Sequence, residues 1–155
     1  MAAIKGTNVR ENRLKPKYEP DNIFAKILRG EAPCVRIFED EVSLAFMDVM
    51  PRADGHALCI PKVPARNLID ISPEDLARLM PAVHRLARAA MIGLGAEGIS
   101  VMQFNESAGG QVVFHLHFHV LPRWSGVDLR PPGGRFVPAA ELEPIAAKIR
   151  AALPA

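Results

Sequence analysis

The chain has 155 residues, 49% of them apolar, and a formal charge of +2, which allows one buried core and excludes a highly charged disordered polymer. It holds no apolar run of the roughly 18 to 20 residues that a membrane span requires, and the opening MAAIKGTNVRENRLKPKYEPDN lacks the apolar stretch of a secretory signal. The expectation is a cytoplasmic protein without a membrane partner. Five Lys/Arg stand against two Glu in the first twenty residues, and fourteen basic against fifteen acidic residues in the remainder, so no basic nucleic-acid-binding face is expected on the folded part.

Residues 1–20 are polar, basic and without apolar periodicity, which predicts a flexible arm; the fold is expected to begin near Asp21 and to run as one domain to residue 155. Asp21 or Asn22 can cap a short helix IFAKILRG that Gly30 ends. Strands are expected near VRIFE, SLAFMDV and GHALCIPK. The clearest helix is ISPEDLARLMPAVHRLARAAMIGLG, with Ser72 as N-cap, Pro73 at the first helical position and Asp75 completing a capping box. Leu76, Leu79, Met80, Val83, Leu86, Ala87, Ala90 and Leu94 form its apolar face; Arg78, Arg85 and Arg88 point away, and Pro81 predicts a kink.

Two further strands, ISVMQF and VVFHLHFHVL, are joined by NESAGGQ and are expected to pair antiparallel. The end of the chain, about 139–153, predicts a helix through Leu142, Ile145, Ala146, Ile149 and Leu153. The fold class is α+β: about five antiparallel strands, one long helix and shorter ones. Cys34 and Cys59 show no metal or disulfide spacing and read as reduced thiols.

Chemistry concentrates in VVFHLHFHVLPR. On a strand, His115, His117 and His119 line one face at about 7 Å intervals, and Phe114, Leu116, Phe118 and Val120 line the other against a helix. The row admits three readings: histidines on a solvated face, a zinc site needing a further ligand that His56 and His84 are not placed to give, or phosphoryl chemistry. The neighbouring NESAGGQ favours the third, because Asn105 and Ser107 offer polar side chains and Gly109 and Gly110 let backbone N–H groups approach an anion.

HLHFHVL resembles the His-x-His-x-His signature of the histidine triad family of nucleotide hydrolases and transferases, and ordered similarity runs from DNIFAKILRGEAPC through NESAGGQVVFHLHFHVLPR, about residues 21–123. The resemblance implies a five-stranded antiparallel sheet extended across a homodimer, a purine nucleoside monophosphate site, and catalysis without cofactor or metal through a nucleotidyl-histidine. It implies His117 as nucleophile, His119 on the phosphate and His115 in support. Asp48 would hold the ribose hydroxyls, Ile23, Phe24, Ile27, Phe46 and Val49 would line the base pocket, and Asn105, Gln111 and Val113 would lie near the phosphate. His119 in place of Gln fits the hydrolase branches. The implied substrate is a nucleoside 5′-phosphoramidate or related conjugate; dinucleoside polyphosphate hydrolysis and a nucleotide-binding regulatory module remain alternatives. Pro64 stands where the family commonly places another histidine, and His56 reads as structural.

Overall fold

A computed structural model describes residues 16–155. Five antiparallel strands form one sheet in the order β1-β2-β3-β5-β4: β1 (Arg36–Glu39), β2 (Ser43–Met47), β3 (Ala57–Pro61), β4 (Gly98–Met102) and β5 (Phe118–Arg123). Among the described residues three α-helices accompany it: α1 (Ile23–Leu28), α2 (Pro73–Leu94) and α3 (Ala139–Ala151). None of the helices among the described residues is long and apolar enough to cross a membrane.

Alternation along the strands sorts their side chains onto two faces. Ala45, Met47, Ala57, Cys59, Phe118 and Val120 bury against α2 and α3, joined by Leu79, Val83, Leu86, Ala146 and Ile149. Leu44, Phe46, Leu58 and Ile60 face the other way and meet Phe24 and Ile27 of α1. The site lies on this second face.

The caps form as read. Asn22 Oδ1 accepts from Ala25 N–H at 2.9 Å and starts α1; Ser72 Oγ accepts from Asp75 N–H at 3.1 Å and starts α2. The long helix runs on through Pro81 and ends at Gly95, whose φ of +61° is left-handed. Its apolar face differs slightly from the periodic reading: Ala82 and Ala89 turn inward, whereas Met80 is 38% exposed. Arg85 does not point freely away, because its guanidinium lies 4.1 Å from the Phe38 ring centroid and pairs with Asp40 at 2.8 Å.

The largest departure concerns the strand expected over 112–121. Only its second half pairs: Val120, His119 and Phe118 oppose Ala57, Leu58 and Cys59 of β3, and His119 opposes Met102 of β4. Residues 112–117 form an irregular approach, where Leu116 N–H donates to Ala65 C=O at 2.8 Å. Phe114 therefore misses the core and sits under the Arg66 guanidinium, 4.1 Å from it. Of the arm read over residues 1–20, residues 1–15 lie outside the described part. The rest is tied to the domain: the Glu19 carbonyl accepts from Asn22 Nδ2 and the Pro20 carbonyl from Arg29 Nη1, both at 2.8 Å.

Candidate active site

The loop between β4 and β5 is held in shape by its own polar side chains. Glu106 has φ +61°, the only non-glycine positive φ among the described residues. Its carboxylate receives two bonds from Arg66, at 2.8 and 3.0 Å, and one from Asn67 at 2.9 Å. Gln111, 3% exposed, accepts from Glu106 N–H and Asn67 Nδ2, and donates to the carbonyls of Arg66 and Val113. All four bonds of its amide are engaged, so the Gln111 side chain braces the loop and has no donor free for a phosphate. Asn105 is also engaged: Oδ1 accepts from Leu68 N–H and Gln103 Nε2, while Nδ2 donates to Gln103 Oε1. The N–H groups of Val112 and Val113 have no partner among the described residues.

Hydrogen bonds fix the tautomer of each histidine at the site. His117 Nδ1 lies 2.6 Å from the carbonyl of His115, which can only accept, so the proton is on Nδ1 and the Nε2 lone pair is free. His115 Nε2 donates to the Pro61 carbonyl at 2.8 Å, leaving Nδ1 to accept from Tyr18 Oη–H at 2.7 Å. His56 Nδ1 accepts from Arg52 N–H at 3.0 Å, so its Nε2 carries a proton and donates to His119 Nδ1 at 2.9 Å. That leaves His119 with a proton on Nε2. The rings of His117 and His119 stand 4.9 Å apart, closer than an extended strand would set them, because residues 115–117 precede β5.

His56, read from sequence as structural, thus belongs to the site. It is 1% exposed, with Asp48 Oδ2 at 3.4 Å from its Nε2. The signal was present in the alternation of GHALCIP: His56 shares a face with Leu58, and Leu58 opposes His119. His84, by contrast, is exposed on α2. Burial holds His56 and His115 down to about 4 and His119 to about 3, with the Arg52 guanidinium adding to the effect at His56 and His119. Burial also lowers His117, against the His115 carbonyl and the Asp48 charge, which raise it. The whole group is neutral at physiological pH, which a nucleophilic imidazole requires.

Asp48, His56 and His119 bring one ligand atom each within 4.8 Å of one another, a donor set that suits zinc. The proton on His56 Nε2 occupies that contact, so a cation would have to displace it.

Phe24 meets His117 edge-on at 4.9 Å and Phe46 at 5.4 Å, and Ile27 is buried in the same cluster. Ile23 and Val49 remain 47% and 39% exposed. Asp48 Oδ1 accepts from Met50 N–H at 2.8 Å, and its side chain keeps 17% exposure. The structure therefore gathers His115, His117, His119, Phe24, Ile27, Phe46 and Asp48 about one centre. Asn105 and Gln111 are committed to the loop that frames it.

The HIT domain profile matches residues 29–126. A HIT-like protein from Bartonella henselae, solved with an unknown ligand, is 49% identical and superposes with a TM-score of 0.85 over 89% of this chain and 100% of its own. An adenosine 5′-monophosphoramidase of Schizosaccharomyces pombe is 41% identical over 65% of this chain and 73% of its own length. An adenylylsulfatase of Arabidopsis thaliana is 34% identical over 71% of this chain, which spans only 59% of that relative. With the family profile covering the sheet, the bracing loop and the histidine row, the chain belongs to the HIT family.

Proposed function

We propose that the protein is a nucleotide hydrolase that cleaves at the α-phosphorus of a purine nucleoside 5′-phosphoramidate or related nucleotidyl conjugate, through a covalent nucleotide on His117. One observation carries this reading: the 2.6 Å bond from His117 Nδ1 to the His115 carbonyl, which leaves Nε2 as a lone pair beside His119. In the first step that lone pair forms a bond to phosphorus, and the amine or other leaving group departs with its electron pair and takes a proton from solvent. Water then attacks phosphorus and gives a proton back to solvent, the P–N bond breaks and the imidazole is restored with its proton on Nδ1, so one difficult displacement becomes two easier ones. The His115 carbonyl stabilises the charge that develops on the attacking ring. His119 Nε2–H and the N–H groups of Val112 and Val113 serve the phosphoryl oxygens, with Asn105 and Gln111 shaping their loop.

Asp48 is the ribose reader, since a carboxylate that keeps some exposure at the site can accept from two vicinal hydroxyls, and Phe24, Ile27 and Phe46 with Ile23 and Val49 supply apolar surface for the base. The relatives named for adenosine phosphoramidate and adenylyl sulfate share the adenylyl group and differ in what leaves, which supports chemistry at the α-phosphorus. The test is hydrolysis of adenosine 5′-phosphoramidate with chelator present. The full-length protein should turn over, and His117→Ala should lose at least about 10³-fold while still binding AMP. Comparable activity in the variant would sink the nucleophile assignment.

A further inference from the structure

Tyr18 and His115 are 97 positions apart in sequence, yet the tyrosine hydroxyl lies 2.7 Å from His115 Nδ1 and the rings meet edge to face at 5.6 Å. Since His115 Nε2–H is committed to the Pro61 carbonyl, the tyrosine donates and Nδ1 accepts. The same hydroxyl accepts from Asn22 Nδ2 at 3.2 Å, which sets its rotation. Asn22 in turn caps α1, the helix that carries Phe24 against His117. Two routes therefore run from the segment before α1 to the nucleophile.

His115 passes no proton along the row, because its one N–H ends on a carbonyl that takes none. What it supplies is a direction: its own carbonyl accepts His117 Nδ1–H, so the position of His115 sets the aim of the neighbouring ring. A side chain fixed at both ring nitrogens holds that carbonyl more firmly than one fixed at a single nitrogen.

Resting on the reading of His117 as nucleophile, we propose that Tyr18 is a positioning residue for the reaction. It anchors His115 at Nδ1 while Pro61 anchors Nε2, and so fixes the carbonyl that aims His117 and keeps the proton of that ring on Nδ1. The stretch N-terminal to α1 is then part of the catalytic apparatus. The backbone bonds at Glu19 and Pro20 hold this stretch independently of the hydroxyl, so removing the hydroxyl leaves it docked.

Tyr18→Phe in the full-length protein keeps the ring and deletes the donor. Hydrolysis of adenosine 5′-phosphoramidate should show kcat lowered about tenfold with KM within about twofold, because a buried acceptor left unpaired loosens aim more than binding. Proton–nitrogen correlation spectra of the histidine rings give a readout that a merely structural role would not move. They should show His117 wholly as the Nδ1–H form in the unmodified protein and as a mixture in the variant. Unchanged kcat with an unchanged spectrum overturns the proposal, and so does a raised KM at constant kcat, which would make Tyr18 a binding residue. A proton found on His115 Nδ1 in the unmodified protein overturns it without any variant. An active His117→Ala would remove the reading beneath it, whereas an inactive His117→Ala beside a fully active Tyr18→Phe removes only the role of Tyr18.

Discussion

His56 and His115 are buried and His119 half-buried, with Asp48 the one carboxylate beside them among the described residues, and that makes the stability of the protein depend on pH in a defined direction. Their values in the folded chain stand near 4, 4 and 3 against an ordinary 6.5, so the unfolded chain binds protons first as pH falls. Their contribution to stability is complete above 6.5 and is lost as pH drops towards 4 and below. Each unit of displacement is worth about 1.4 kcal/mol, so the three groups together account for a large share of the stability of a domain this size. Urea midpoints measured from neutral pH downward should decline through this window; a midpoint that is flat between 6.5 and 4 would mean that the rings are not buried as neutral bases. The histidine row was legible because three imidazoles at a spacing of two need no tertiary knowledge. His56 was legible only in part: alternation along GHALCIP sets it on the face of Leu58, but its place beside His119 depends on the β3–β5 register, which is fixed by pairing between distant segments. Tyr18 was hidden for another reason: polar, basic surroundings read as an arm whatever one aromatic ring within them does.

Among the elements, caps were readable and strand ends were not. Ser72 and Asn22 cap their helices through bonds to residues three positions on, which local sequence specifies. The first half of the expected last strand fails for want of a partner, because β3 pairs with β5 only from Ala57 to Cys59. The contact between α2 and α3 carries its own requirement. A Cβ placed on Gly93 would run into the backbone oxygen of Lys148 and lie 3.2 Å from Ile149 Cα, so only glycine lets the two helices approach. Alanine in a helix interior ordinarily gains about 1 kcal/mol over glycine. Here Gly93→Ala should instead destabilise by about 1–3 kcal/mol, since overpacking displaces α3 and with it Leu142, Ala146 and Ile149. Equilibrium denaturation decides, and a stabilised variant would show that the helices do not meet at Gly93.

For the whole molecule, the sheet order among the described residues leaves β1 and β4 as edges, and the β4 edge carries the half-exposed Val101, with Met91 and Ile92 also exposed near the end of α2. An open edge beside exposed apolar side chains favours burial against a twofold-related copy, which is the homodimer with a shared sheet that the family resemblance implies. Light scattering at micromolar concentration should give twice the chain mass, and a monomer there would count against the shared sheet. The α+β class was readable as a whole because it follows from the number and spacing of the segments. The order of strands is a product of long-range pairing, and no segment of the chain states it alone.

The proposed covalent nucleotide on His117 would leave a mark on the intact protein. Rapidly quenched turnover of adenosine 5′-phosphoramidate, followed by intact-mass analysis and peptide mapping under mildly basic conditions that spare a phosphoramidate bond, reads it directly. Nucleophilic attack by His117 predicts a transient adenylyl adduct confined to the peptide containing His117 and absent from His117→Ala. Full turnover with no adduct at any quench time, or an adduct mapped to His115 or His119, would contradict it.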